Sequence, residues 1–212
     1  MTGGDGTPVL DTDREGFRRW LQQNHADRDC CWVICSRGRP VEGKLAYIDA
    51  VEEALCFGWI DSTTGNIDGR FCNRFGPRRK GSHWTELNKA RVRRLERLGL
   101  MTDAGRAVLP DMDEVPPTDA NMARWFRQHP DMEQRFMSYP ELYRNIQMSN
   151  LEFCRTYRPK EYRKKLKLFR ERLEKDMITP GWDDYGRLPR GPLAGGPRQW
   201  DYLLWRIAGT DA

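Results

Sequence analysis

Residues 54–66, ALCFGWIDSTTGN, place a single acidic side chain, Asp61, among small and aromatic residues. A carboxylate beside an aromatic wall can serve as a general acid or base, or it can bind a cation. The same carboxylate can instead pair with Arg70 or Arg74 on the facing strand of a hairpin, since opposite charges on neighbouring strands attract. Asp61 is therefore the candidate catalytic residue, and a structural ion pair is the alternative.

The segment GPRRKGSHW places Arg78, Arg79 and Lys80 just before a predicted helix. A helix start presents free N–H groups and a positive dipole, and arginine adds a planar fork that fits a carboxylate or a phosphate. Trp84 and Asn88 are four residues apart and share a face of that helix. The alternatives are a solvated basic loop and a tryptophan that fills the core. The candidate ligand-binding residues are Trp59, Arg70, Arg74, Arg78, Arg79, Lys80, Trp84 and Asn88.

The net charge of +5 is concentrated in two segments. Residues 78–97 carry eight Lys or Arg against two Glu, and residues 160–175 carry eight against three. Localised positive charge indicates either an anionic partner or two solvated helix faces. Binding of nucleic acid through the helices predicted at 84–98 and 160–175 is therefore an alternative function.

The six cysteines and three histidines show no spacing typical of a metal site or of a Cys–His nucleophile pair. Most cysteines lie among apolar neighbours, and we find no export signal, so we predict reduced, buried thiols. No phosphate-binding or dinucleotide-binding glycine pattern and no GxSxG motif occurs. We therefore predict neither a metal nor a cofactor.

The chain contains no apolar run of about 18 residues, the length that predicts a membrane helix. Its N-terminus, MTGGDGTPVLDTD, lacks the basic and apolar regions of a signal peptide. We therefore expect a cytoplasmic protein without a membrane span.

The elements that position these residues follow from periodicity and capping. A first helix is predicted from Thr12, with Glu15 completing a capping box, and CCWVIC, residues 30–35, indicates a short buried strand. A second helix carries apolar residues at helical spacing and ends at Gly58, which suits the position after a helix. Its apolar stripe consists of Tyr47, Ala50, Val51, Ala54 and Leu55.

Two strands, predicted at 58–63 and 70–75, flank TGNIDG, whose Gly, Asn and Asp residues suit a turn, so we predict a β-hairpin. Together with a strand at 31–35 they form a small antiparallel sheet. Alternation along the first strand puts Trp59, Asp61 and Thr63 on one face. The two arginines at positions 70 and 74 share a face of the second strand, and the register decides whether it is the face of Asp61.

An acidic, proline-rich segment divides the chain. We predict an α+β core domain at 1–110, a linker at 111–121, a helical C-terminal region at 122–188, and a Gly/Pro-rich segment with an apolar tail at 189–212. The tail is a candidate surface for a homodimer. The predicted fold class is α+β, with a small antiparallel β-sheet packed by helices and followed by a mostly helical C-terminal half.

Three blocks of sequence carry a family resemblance: AYIDAVEEALCFGWIDS, GPRRKGSHWTELNK and GLMTDAGRAVL. In this order they resemble the bacterial YdeI/OmpD-associated family, also called the bacteriocin-protection family. SYPELYRNIQ and GWDDYGRL look like the C-terminal part of longer members, so the resemblance covers residues 14–188. It implies a role in tolerance of antibacterial peptides or envelope stress, and it implies a fold and a pocket neighbourhood without a catalytic set.

The leading hypothesis is a small-molecule-binding protein of the YdeI/OmpD-associated type. It binds, or acts on, an anionic or peptide-like antibacterial compound in a pocket between the hairpin and the basic helix start, and so gives tolerance or self-protection. Besides nucleic-acid binding, the other alternative is an enzyme of a biosynthetic pathway that uses Asp61 as its acid or base.

Overall fold

Two compact units make up the part of the chain that the computed structural model describes, residues 6–38, 40–41 and 43–189. The first unit comprises the described residues up to Trp84 together with Asn88–Glu114, and the second comprises Thr85–Leu87 and the described residues from Val115 onward. The strands are β1 (Val9–Leu10), β2 (Cys31–Ile34), β3 (Trp59–Ile67) and β4 (Arg70–Pro77). The helices are α1 (Arg14–Asn24), α2 (Tyr47–Cys56), α3 (Glu86–Arg97), α4 (Asp103–Arg106), α5 (Ala120–Gln128), α6 (Pro130–Met137), α7 (Glu141–Tyr157) and α8 (Pro159–Glu174).

The α+β class predicted from the sequence is confirmed: a four-stranded sheet with helices forms the N-terminal part, and the C-terminal half is helical. The strand order is β1-β2-β4-β3. The sheet is mixed, however, because β1 runs parallel to β2, with Val9 opposite Trp32, while the other pairs are antiparallel. Helix α1 supplies the crossover that a parallel pair requires. A two-residue strand is too short to show any periodicity, so the sequence did not predict it.

Helix α1 begins one residue later than the predicted capping box. The carboxylate of Asp13, and not the hydroxyl of Thr12, accepts the N–H of Gly16, with an O–N distance of 2.7 Å. Aspartate is at least as good an N-cap as threonine, so the neighbouring residue takes the role. The predicted capping box from Thr12 to Glu15 is therefore wrong, although the helix itself is present.

Helix α2 confirms its prediction. Its apolar stripe is buried except for Tyr47, which is half-buried. Gly58 follows the helix with a φ of +73°, a conformation that glycine adopts without steric cost. A Cβ at this position would lie 2.9 Å from the carbonyl oxygen of Ala104, so glycine is also required by the close approach of α4.

The hairpin turn is tighter than the predicted TGNIDG loop. Strand β3 continues to Ile67, which pairs with Arg70, and the turn consists of Asp68 and Gly69 alone. Both turn residues have a positive φ, 51° and 76°, as the Asp-Gly pair of a type I′ turn requires. Residues 64–67 therefore belong to the strand and not to the turn.

An irregularity in β3 changes which side chains share a face. Asp61 lies opposite Phe75, whereas Thr63 lies opposite Arg74, so the register shifts by one residue between positions 61 and 63. A bulge of this kind re-aims the residues beyond it. Asp61 and Trp59 lie on the face of Phe75, while Thr63 is on the other face, contrary to the alternation expected from the sequence.

The core of the first unit lies where α1 and α2 cover one face of the sheet, and it contains Phe17, Leu21, Val33, Leu55 and Phe75. The second unit has a separate core, in which aromatic rings from α5–α8 pack edge to face, such as Phe136 against Phe169 and Tyr139 against Tyr143. The tail predicted to form a homodimer lies outside the described residues, apart from Pro189.

A group of ion pairs that the sequence analysis did not predict ties α1 to α2 and α3. Glu52, fully buried on α2, lies 3.0 Å from Arg14 and 2.8 Å from Arg94. Its neighbour Glu53 accepts from Arg14 at 2.6 Å and from Arg18 at 2.7 Å. Buried carboxylates require such partners, because an unpaired buried charge is strongly destabilising.

Candidate functional site

The carboxylate of Asp61 accepts a hydrogen bond from the side chain of Tyr47. The hydroxyl of Tyr47, the first residue of α2, donates to Oδ2 of Asp61 with an O–O distance of 2.9 Å. The backbone of Tyr47 is fixed in turn, since its N–H donates to the carbonyl of Ser36 at 3.0 Å. Both side chains are half-buried, so the pair borders solvent. Asp61 is therefore not the cross-strand partner of an arginine.

The two arginines of the hairpin lie on the opposite face of the sheet from Asp61. Arg74 donates from Nη2 to Sγ of Cys30, and Arg70 forms an ion pair with Asp11 at 2.6 Å. The register, which the sequence left open, thus separates both residues from Asp61. Neither joins the cluster described below.

Trp59 shares a face with Asp61 but is a core residue. Its side chain is almost fully buried, its ring meets that of Trp20 edge-on at 5.8 Å, and its Nε1 donates to the carbonyl of His25 at 3.1 Å. A ring whose polar atom and apolar faces are all used in this way packs the interior.

Arg78 is the most unusual residue near Asp61. It follows the end of β4, its side chain is only 8% exposed, and its guanidinium stacks on Trp84 with 3.7 Å from Cζ to the ring centroid. Nη2 donates to the carbonyl of His83 at 2.8 Å. Nε and Nη1 are buried and have no hydrogen-bond partner among the described residues. Buried arginine donors are normally paired, so this arrangement requires an explanation.

The charges around Arg78 affect each other. Burial lowers the pKa of Arg78 to about 10, and the negative charge of Asp61 acts in the opposite direction. The guanidinium is therefore still charged at neutral pH. Burial raises the pKa of the Tyr47 phenol, and the negative charge of Asp61 raises it further. Tyr47 is therefore a neutral hydrogen-bond donor at neutral pH.

Asn88 and Arg91 complete the cluster on α3. Nη1 of Arg91 donates to Oδ1 of Asn88 at 2.8 Å, and the charge of Arg91 acts on the phenol of Tyr47. Arg91 is buried, 6% exposed. Asp61, Arg78, Trp84 and Asn88 are among the residues predicted from the sequence, whereas Tyr47 and Arg91 are not. A signal for Arg91 was available, since it lies one helical turn beyond Asn88.

The other two cations predicted at this site, Arg79 and Lys80, differ from Arg78 in their exposure. Arg79 and Lys80 are exposed, in contrast to Arg78, and no hydrogen bond or ion pair joins either side chain to any described residue. They therefore provide natural controls for any experiment on Arg78.

The basic residues of α3 are mostly engaged within the first unit. Lys89 donates to the carbonyl of Glu114 at 2.9 Å, Arg93 donates to the carbonyl of Met112, and Arg94 pairs with Glu52. On α8 the exposed cations are Lys160, Arg163, Lys164, Lys165 and Lys167. Of the two helices predicted to contact nucleic acid, only α8 thus presents a row of exposed cations.

A cleft of about 550 Å³ lies at another edge of the sheet. Arg70 in its wall is paired with Asp11, and Asp13 caps α1. Asp61 and Arg78 do not line it. Its lining residues are Asp11, Thr12, Asp13, Ile34, Cys35, Ser36, Gly43, Lys44, Leu45, Arg70 and Phe71. Three of its four charged residues, Asp11, Asp13 and Arg70, already have partners, so the cleft has less to offer a charged ligand than the surroundings of Arg78.

The cysteines do not supply a nucleophile to this site. All six are free thiols, and all but Cys30 are buried. Burial raises the pKa of the Cys35 thiol to about 12, and the nearby groups Cys72 and Asp61 raise it further by smaller amounts. A thiol that stays protonated is a poor nucleophile.

Within the described residues, no group of three or more His, Cys, Asp or Glu side chains is arranged to hold a metal ion. No helix in the same part of the chain is long and apolar enough to cross a membrane.

The part of the chain that contains Asp61 and Arg78 is similar to a known protein family. Residues 9–108 match a family described as "Domain of unknown function (DUF8412)". The match covers a little under half of the chain and includes every residue of the cluster around Arg78. The comparisons with curated proteins and with solved structures gave no match.

Proposed function

We infer that the first unit binds a small molecule carrying an anionic group, which contacts the guanidinium of Arg78. One observation carries this proposal: Arg78 is buried and charged, yet Nε and Nη1 lack partners among the described residues. Leaving a buried donor unpaired costs about 1–3 kcal/mol, and more for a charged group. An oxyanion that accepts from these atoms would remove this cost.

The chemistry of the surrounding residues supports a carboxylate or phosphate as the anionic group. Arginine presents planar N–H donors that match these groups, and such charge-assisted hydrogen bonds are among the strongest in proteins. Trp84 covers one face of the guanidinium and the carbonyl of His83 holds Nη2, so the remaining donors are oriented in advance. Preorganisation of this kind increases affinity because less freedom is lost on binding.

The resemblance to the YdeI/OmpD-associated family suggests what role the binding of such a ligand has in the cell. The ALCFGWIDS and GSHW blocks that carry the resemblance contain Asp61 and Trp84, two members of the cluster. On this basis we include a role in tolerance of an antibacterial, peptide-like compound in the proposal. If the protein also acts on the ligand, Asp61 is the group placed to exchange a proton with it, because Tyr47 already positions the carboxylate.

Isothermal titration calorimetry with acetate, propanoate, phosphate and short peptides tests the proposal. We expect at least one of these anions to bind the wild-type protein and to lose at least ten-fold in affinity in Arg78→Met, which removes the charge but keeps a long side chain. Arg79→Met is the matched control, since Arg79 is adjacent but exposed, and it should bind as the wild type does. Equal losses in the two variants would show a non-specific basic loop, and no binding of any anion would contradict the proposal.

A further inference from the structure

Asp61 and Arg78 carry opposite charges and lie near each other, because the backbone N–H of Arg78 donates to the carbonyl of Gly58, three residues before Asp61. The charge of Asp61 acts on Arg78, but no hydrogen bond or ion pair joins the two among the described residues. Asp61 accepts at Oδ2 from Tyr47, and within the same residues no donor contacts its Oδ1. Both side chains thus keep hydrogen-bonding capacity that the described residues do not use.

The arrangement around these two charges keeps them apart. Arg78 is held on its side by Trp84 and by the carbonyl of His83, while Asp61 is held on the other side by Tyr47. Each charge therefore has a partner that positions it without neutralising it. Arg91, another cation of the first unit, donates from Nη1 to Oδ1 of Asn88.

We propose that the ligand is a zwitterion of the amino-acid type, whose carboxylate accepts from Nε or Nη1 of Arg78 and whose ammonium group donates to Oδ1 of Asp61. This inference rests on the proposed function, since it assumes that Arg78 binds the anionic group. It adds that a second pole of the ligand is recognised. Free amino acids and short peptides with both termini unblocked belong to this class.

Charge balance favours a zwitterion over a simple anion. A monoanion bound at Arg78 approaches the negative charge of Asp61, and repulsion between like charges is stronger in a partly buried site than in water. A zwitterion places its positive end beside Asp61 and so converts this repulsion into attraction. The ammonium also supplies three N–H donors, which suit a carboxylate with an unused oxygen.

Matched pairs of ligands test this inference by calorimetry. The pairs are acetate with glycine, propanoate with β-alanine, and butanoate with 4-aminobutanoate, so each pair differs by an ammonium group and the series varies its distance from the carboxylate. For the wild-type protein we expect at least one amino acid to bind at least ten-fold more tightly than its matched anion. Asp61→Asn should abolish this preference and leave the anion bound as tightly or more tightly, while Arg78→Met should weaken both.

The control is Asp68→Asn, the same change at the exposed hairpin turn, where asparagine also tolerates the positive φ; it should keep the preference. N-acetylglycine, which lacks the ammonium, gives the same comparison on the wild-type protein and should bind no better than acetate. If anions bind through Arg78 without any preference for amino acids, the zwitterion inference fails and the proposed function stands. If the preference persists in Asp61→Asn, Asp61 is not the second pole. If no ligand depends on Arg78, both proposals fail.

Discussion

Arg78 keeps its charge in a place where a charge is unfavourable. Its pKa is lowered by burial, which means that the folded protein stabilises the charged form less than water does. Stacking on Trp84 and one hydrogen bond to His83 offset part of this cost. Proteins tolerate local destabilisation of this kind mainly at functional sites, where a ligand uses it. This is why Arg78, rather than Asp61, is the centre of the proposed site.

Tyr47→Phe tests the contact that positions Asp61. The substitution removes only the hydroxyl, so we expect the free energy of unfolding at pH 7 to fall by about 1 kcal/mol, because water can replace the donor at a half-buried carboxylate. Urea unfolding followed by circular dichroism measures this change. A loss of more than about 3 kcal/mol would show that Tyr47 has a larger structural role than its hydrogen bond.

The pH dependence of the same variant has a definite sign. The pKa of Tyr47 is raised in the folded protein, so its contribution to stability is complete below the ordinary tyrosine pKa of about 10 and declines as the pH rises above it. Tyr47→Phe lacks this decline. We therefore expect the stability difference between wild type and variant to be constant below about pH 10 and to narrow as the pH rises above this value. A difference that is independent of pH would contradict the raised pKa.

At the residue scale, residue type and proximity along the chain selected the candidate residues. Asp61, Arg78, Trp84 and Asn88 lie within a short stretch, and their chemistry was sufficient to select them. It could not distinguish Arg78 from Arg79 and Lys80, because burial of one cation among three depends on the packing of Trp84. Tyr47 was recognised only as part of an apolar stripe, since the use of its hydroxyl depends on a strand that follows later.

Among the elements, the junction of α2, β3 and α4 controls the position of Arg78. The carbonyl of Gly58 accepts the backbone N–H of Arg78 at 2.9 Å, so the glycine that ends α2 also fixes the residue at the end of β4. Gly58 has a positive φ and lies against Ala104. A change at this junction therefore affects both the stability of the first unit and the binding site.

Gly58→Ala should be strongly destabilising. A left-handed conformation costs a residue with a Cβ about 1–2 kcal/mol, and the new methyl group would lie 2.9 Å from the carbonyl oxygen of Ala104. We expect the free energy of unfolding to fall by about 3 kcal/mol, measured by urea unfolding. The control is Gly99→Ala, where φ is +67° but no atom lies within 4 Å of the new Cβ, so only the conformational cost applies. Equal losses in the two variants would show that the contact with Ala104 is unimportant.

The elements show where sequence patterns succeed and where they do not. The stripe of α2 and the role of Gly58 were predicted correctly, because periodicity and the φ of glycine are local properties. The bulge between Asp61 and Thr63 was not predicted, since it depends on how β3 meets β4. That bulge and the two-residue turn set the register, and the register decided that Arg70 and Arg74 lie away from Asp61.

At the scale of the whole molecule, the buried ion pairs of Glu52 and Glu53 join the helices of the first unit. Glu52→Gln leaves Arg14 and Arg94 without the full charge of their shared partner. Breaking a buried ion pair typically costs 3–5 kcal/mol, and we expect a loss near the lower end, about 3 kcal/mol, because both arginines are partly exposed. Urea unfolding at pH 7 measures it. Glu15→Gln, which changes an exposed residue paired with Arg19, should have no measurable effect.

The family match and the two units do not have the same boundaries. The match to DUF8412 ends at residue 108, so it covers most of the unit that holds Arg78 and, of the second unit, only Thr85–Leu87. The second unit has its own aromatic core and an exposed basic face on α8. No periodicity in the sequence indicated which cations are turned inward on α3, because their acceptors are backbone carbonyls and a glutamate distant along the chain.

The most direct test of the central claim is a crystal structure of the protein with the tightest-binding carboxylate ligand from the calorimetric series. We predict that a carboxylate oxygen lies about 3 Å from Nε or Nη1 of Arg78, with the guanidinium still stacked on Trp84. A ligand bound instead in the cleft beside Arg70, or Nε and Nη1 paired with groups of the protein itself, would contradict the claim.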